Sequence, residues 1–148
     1  MSVQPTLSHR LILPTDANHH GTLYAGSLLR ITLESAYATA WRHVGVDANL
    51  VLRRVLNLEC LKPVAVGTVI EIQGAVLHQT QTYLITGLYG VPLSTEQGPW
   101  MESLLGFAQI DESGRPAVFP NRDEKLLIPA GEIWERLQVR LKKLLKIK

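Results

Sequence analysis

The sequence predicts an α+β domain: a long central helix wrapped by a curved antiparallel β-sheet, with a second helix at the C-terminus. Three observations predict it. The stretch Asp16–Val44 opens in a polar, glycine-containing turn and continues with apolar residues at helical spacing. The segments after it read as strand, turn, strand. Helical spacing returns only after Pro129.

Leu7–Leu13 reads as the first strand, ended by Pro14, which has no N–H to give a ladder. In the turn Asp16–Gly21, Asp16 and Asn18 are residue types that bond to free backbone N–H groups at a helix start. Gly21 tolerates dihedrals that other residues avoid. The helix is expected from Gly26 to Val44, with Leu29, Leu33, Ala36, Ala40 and Val44 on its buried face and Tyr37 beside them. Arg30, Glu34 and Arg42 lie away from that face, and Gly45 is the expected C-terminal cap.

Asn49–Leu61 is rich in Val and Leu and reads as a long strand, stopped at Lys62-Pro63. Gly67–Leu77 alternates, with Val69, Ile70 and Ile72 set against Glu71 and Gln73. Thr80–Leu88 is a further sheet segment, and Tyr89–Trp100 an exposed loop carrying Gly, Pro and Ser. Met101–Ile110 returns as a strand and Asp111–Pro116 turns the chain. The expected division is residues 1–126 as the main domain and residues 127–148 as an amphipathic basic helix, in which Ile133, Trp134, Leu137, Leu141, Leu144 and Leu145 recur at helical spacing. That helix is expected to dock on the body or a neighbouring copy, and membrane-surface contact is the lesser alternative.

A chain of 148 residues, 46% hydrophobic and 19% charged, is large enough to bury a core of its own. No apolar run approaches the ~20 residues that span a bilayer. The first ten residues lack the apolar core of a secretion signal, and the single cysteine, Cys60, has no internal disulfide partner. A reducing cytoplasm is the expected setting. Net charge is +2, but the segment Glu132–Lys148 alone carries +4 and the rest −2. This balance argues against a nucleic-acid-binding protein.

Four short stretches carry a resemblance. Asp16-Ala17-Asn18-His19-His20-Gly21 followed by Tyr24-Ala25-Gly26 resembles the D-x-N-x-x-G-x-x-F/Y-G-G opening of hotdog-fold acyl-CoA thioesterases, the small bacterial acyl-CoA hydrolases and their two-domain cytosolic relatives. Trp41-Arg42-His43 is similar to their A-R-H at the helix end. Leu61-Lys62-Pro63-Val64-Ala65-Val66-Gly67 is similar to F-L-R/K-P-V-x-V-G-D, with Thr68 where Asp is usual. Asp111-Glu112-Ser113-Gly114-Arg115-Pro116 resembles a late D-x-x-G-x-P turn. The resemblance implies a hotdog fold, self-association as a dimer or dimer-based oligomer, and an acyl-CoA or other acyl-thioester substrate. It implies no cofactor beyond the coenzyme A of that substrate.

It also implies a site. Thioester hydrolysis needs fixed donors on the carbonyl and a polar group to position water. The resemblance puts Gly21, Tyr24, Ala25 and Gly26 against the substrate, with helix N–H groups near Ala25 and Gly26 as an oxyanion site. Leu33 and Leu56 then stand on substrate where relatives carry acids, and leucine cannot activate water. The remaining catalytic candidates are Asn18, Glu34, His19 and His20. Each has a plainer role open to it: Asn18 in the turn, Glu34 in a surface pair with Arg30, the histidines in solvent. A metal is not expected, because His9, His43 and His78 are distant in sequence. There is no Gly-x-Ser-x-Gly elbow, and Cys60 reads as inert core. Two readings follow: a thioester hydrolase with an altered acid position, or a non-catalytic protein that binds an acyl or CoA ligand or partners an active subunit.

Overall fold

The computed structural model describes residues 3–94 and 97–146. Thr95 and Glu96 of the expected loop, and Ile147 and Lys148 of the basic tail, lie outside the described residues. The elements run β1 (Thr6–Leu11), α1 (Ala25–Val44), β2 (Leu50–Cys60), β3 (Val69–Gln79), β4 (Tyr83–Gly90), β5 (Met101–Gln109) and α2 (Glu132–Leu145). The five strands form one antiparallel sheet in the order β1-β3-β4-β5-β2. Register shifts in β2, at Leu52/Arg54 and Val55/Asn57, and in β3, at Val76/His78, are places where an extra residue bends the strand.

Each helix takes one face of the sheet. Ile70, Ile72, Leu84, Leu88, Leu105 and Phe107 turn towards α1 and form the main core with Ala36, Ala40 and Val44. On the opposite face Ala75, Leu77, Ile85 and Leu104 pack against Trp134, Leu137 and Leu141 of α2. The interior strand β5 is therefore buried along its whole length, and its sequence shows no polar alternation. The docking expected of α2 is observed. Its apolar stripe of Trp134, Leu137 and Leu141 is spent on the sheet. Among the described residues no helix is long and apolar enough to cross one.

Several expectations need correction. The buried face of α1 is Leu28, Ile31, Thr32, Ser35, Ala36, Thr39, Ala40 and Val44. Leu29 is 50% exposed, Tyr37 is exposed too, and Leu33 is only half-buried. The helix is apolar on two sides, and the pattern picked the stripe that includes the outer one. β4 runs on to Gly90, and Trp100 is fully buried, its N–H donating to the Gly90 carbonyl at 3.1 Å. The loop is thus pinned at both ends. Cys60 sits on the sheet edge and is exposed, not core, although partial desolvation raises its thiol pKa and so disfavours the thiolate.

Among the apolar residues left in solvent, Leu29, Trp41, Val51, Leu52 and Val55 belong to the outer side of α1 and to the edge strand β2. An open edge beside exposed apolar side chains invites a second copy. Sedimentation at micromolar concentration should accordingly give at least a dimer, and a clean 16.5 kDa monomer would exclude it.

Candidate functional site

The turn between β1 and α1 is held by its own side chains. Asn18 Oδ1 accepts from the N–H of His20 at 2.9 Å, the N–H of Thr22 at 3.2 Å and the Thr22 hydroxyl at 3.3 Å. No hydrogen bond from the Asn18 amide nitrogen is present among the described residues. Gly21 has φ +75°, which closes the turn and favours glycine. Two backbone bonds, Leu23 N–H to Val64 O at 2.8 Å and Val66 N–H to Gly21 O at 3.1 Å, fasten it to the Lys62–Gly67 segment. Two of the four stretches read in the sequence therefore meet here. The other two lie at the far end of α1, about 30 Å away for a helix of this length. There His43 Nε2 meets Gln79 Oε1 at 2.6 Å, Gln79 donates to Asn121, and Asn121 donates to the His43 carbonyl, while Asp111 Oδ1 accepts from the N–H groups of Ser113 and Arg115. Those contacts are structural.

Asp16 is a buried anchor rather than a cap for α1. Its carboxylate accepts from Leu13 N–H at 2.9 Å, Arg10 at 3.3 Å and Arg30 at 3.2 Å. The Leu13 N–H, then the two guanidiniums, hold the Asp16 carboxyl below its ordinary value near 3.8. A depressed folded pKa means that this stabilisation is present above the unfolded value and is lost as pH falls through the lower folded one. Asp16→Asn should therefore flatten the acid limb of stability, read by denaturant unfolding between about pH 2 and pH 6. An unchanged limb would place the acid sensitivity elsewhere.

α1 begins at Ala25, with Tyr24 as an N-cap that makes no side-chain capping bond. The first intrahelical bond runs from Leu28 N–H to Tyr24 O, so the N–H groups of Ala25, Gly26 and Ser27 open the helix without intrahelical partners. The Tyr24 ring lies where a side chain at 26 would project, its phenol oxygen foremost. The small residue thus makes room for Tyr24.

Beside this start lies a cavity of about 240 Å³ between α1 and the β2–β5 side of the sheet. Leu29 and Leu33 from α1, Leu52, Val55 and Leu58 from β2, and Leu105 from β5 line it. Thr32 adds a buried hydroxyl with no partner among the described residues. Arg30 lines the mouth while its guanidinium is drawn off to Asp16, leaving the apolar stem to the cavity. Nothing in the sequence pattern pointed to Thr32, Val55, Leu58 or Leu105. Their grouping depends on the bulges of β2.

The remaining candidates separate. Glu34 faces the other flank of α1, about 100° round from Leu33, in a smaller hollow with Ser8, His9 and Ile70. Its partner is Arg10 at 4.0 Å, not Arg30, and its side chain is 61% exposed. His19 and His20 are exposed with ring centroids 3.8 Å apart. Leu56 packs in the cluster under α2, on the other face of the sheet from Leu33.

No protein-family model matches the sequence, and no curated protein is similar to it. Solved structures are. A hexameric acyl-CoA thioesterase superposes with a TM-score of 0.75 at 28% identity, over 96% of this chain and 88% of the other. The chain has the hotdog fold of the acyl-CoA thioesterases. Also similar to this hotdog domain is an acyl-CoA hydrolase from Staphylococcus aureus in complex with butyryl coenzyme A, coenzyme A and coenzyme A disulfide (TM-score 0.77, 21% identity, 96% and 82% covered). A hexameric thioesterase from Yersinia pestis matches 76% of the hotdog chain and 93% of its own at a TM-score of 0.68 and 22% identity.

Proposed function

We propose that this hotdog protein binds acyl-CoA thioesters and hydrolyses them with an altered arrangement for positioning water. The observation that carries the reading is the Asn18 turn, pinned to the start of α1 and to the Lys62–Gly67 segment beside an apolar cavity. Fixed N–H donors stand next to a place for a hydrocarbon chain, which is what an acyl thioester presents. The 28% identical thioesterase structure supports it, as do the coenzyme A complexes of the Staphylococcus aureus hydrolase. Coenzyme A enters as part of the substrate, and no separate cofactor is invoked. The hexameric neighbours support an assembly built on self-association.

One observation favours a second reading, a binding protein without turnover. Among the described residues no carboxylate lines the cavity around Leu33, and Glu34 lies in a different hollow. On the hydrolase reading, water is held by Asn18 with the helix N–H groups, or by His19 or His20 acting as base.

Release of free thiol from a panel of acyl-CoAs, measured beside binding of the same compounds, separates the two. Weak hydrolysis by the wild type is expected, raised at least about tenfold by Leu33→Asp, within the range of a positioned general base. The variant should also lose stability, because a carboxylate at this half-buried position must be hydrated by the cavity or neutralised. Binding with no thiol release from either protein would leave the binding reading, and no binding at all would end both.

A further inference from the structure

We infer that the Tyr24 hydroxyl is a catalytic donor to the carbonyl oxygen of the substrate, acting beside the N–H groups at the start of α1. The inference deepens the thioester reading above and rests on it for the identity of the ligand. The phenol oxygen takes the place that a Cβ at residue 26 would fill. That puts it within about 4 Å of the Gly26 Cα and about 5 Å of the Gly26 nitrogen. One acceptor atom can therefore stand within hydrogen-bond distance of both. The hydroxyl has no hydrogen-bond partner among the described residues, and Tyr24 is 47% exposed, so a ligand can reach it. Packing over Gly26 needs only the ring, which leaves the hydroxyl to a ligand.

The turn adds an independent observation: Tyr24 and Asn18 leave it on one side. Ala17 and Leu23 pair as an antiparallel bridge, and the Thr22 hydroxyl donates to Asn18 across the ribbon. Tyr24 follows Thr22 by two residues and has extended dihedrals, so its side chain shares that side. Two donors without partners, the Asn18 amide and the phenol, thus flank the helix start together. In hydrolysis, water adds to the carbonyl carbon and the C–S bond breaks, its electron pair passing to sulfur. The oxygen of water leaves in the acid, and one of its hydrogens ends on the thiol. Tyr24 keeps its own proton, and its hydrogen bond tightens as negative charge gathers on the carbonyl oxygen.

The test compares the wild type with Tyr24→Phe, which keeps the ring over Gly26. Two unhydrolysable coenzyme A derivatives are titrated against the full-length protein. One is an S-alkyl thioether, which has no carbonyl. The other is the ketone in which a methylene replaces the thioester sulfur, labelled with carbon-13 so that its carbonyl stretch can be read by infrared. The stretch should lie at lower frequency in the wild-type complex than in the variant. Ketone affinity should fall about three- to tenfold in Tyr24→Phe, the range for one neutral hydrogen bond, with thioether affinity unchanged. For acyl-CoA, kcat should fall about 10²-fold with KM little altered. Equal stretches in the two complexes, or equal weakening of ketone and thioether, would overturn the proposal. Thiol release is scored separately. A Tyr24-dependent stretch without thiol release keeps the donor and removes the hydrolase. Equal release by both proteins keeps the hydrolase and removes the donor. Binding of neither compound ends both.

Discussion

Asn18→Asp is expected to lower acyl-CoA turnover by about 10²-fold, the scale of losing a group that positions the attacking water, while the melting temperature stays close to that of the wild type. The two atoms of the Asn18 amide have separate tasks. Oδ1 closes the turn by accepting three hydrogen bonds, and a carboxylate oxygen takes over that task without change of shape. The nitrogen has no partner among the described residues and is left for a ligand or water. Aspartate removes that donor and puts a negative charge in its place. Asn18→Ala makes the contrast: it leaves three donors without their acceptor, costs about 1 kcal/mol or more, and should lower turnover and melting temperature together. Wild-type turnover by Asn18→Asp would show that Asn18 serves the turn alone.

Replacing Arg136 and Arg140 together by alanine should cost about 3 kcal/mol or more, the range for stripping a buried charge of its partners. That lowers the melting temperature by roughly 10 °C in a chain of this size. Glu102 lies under α2 with its side chain only 4% exposed, held by Arg140 at 2.7 Å and by Arg136. Arg140 also donates to Asn57 at 3.0 Å, so one guanidinium ties α2 to both β5 and β2. The carboxylate has little access to water where it stands. With both arginines gone it is left buried without a charged partner, or α2 must lift to let solvent in. Glu102→Gln should be milder, because it removes the buried charge while the partly exposed arginines regain water. Calorimetry of the three variants decides this, and a double variant melting within about 2 °C of the wild type would mean that apolar packing alone holds α2.

The segments whose pattern had one dominant cause were legible in the sequence. The helical spacing of Trp134, Leu137 and Leu141 reports burial on a single face, and α2 starts within a few residues of Pro129. β2 and β5 fall within a residue of their expected bounds, because Lys62-Pro63 and the Asp111–Pro116 turn stop them. α1 was legible as a helix but not in its orientation. Thr32, Ser35 and Thr39 are buried under it while Leu29 is exposed, since the outer side of the helix is apolar for a reason of its own. In the candidate site, the Asp16–Gly21 turn meets Lys62–Gly67, a contact that the sequence did not show. Spacing could not show that Glu34 pairs with Arg10, a residue from another element, or that Leu56 and Leu33 lie on opposite faces. A bulge shifts which residues of β2 face α1, and sequence alternation does not reveal where it falls.

The pairing of β2 with β5 also bears on how the chain folds. Partners in that ladder stand roughly 40 to 60 positions apart, whereas β3 and β4 meet across a tight connection. A nascent chain can close the β3–β4 hairpin early, but β2 waits until β5 has been synthesised. During that interval Val51, Leu52 and Val55 stand unpaired in a long β-prone segment. Arg53 and Arg54 interrupt this run, and charge of that kind is what keeps two waiting strands from joining each other. Replacing both arginines by threonine should leave the finished sheet intact while lowering the soluble yield on refolding from denaturant.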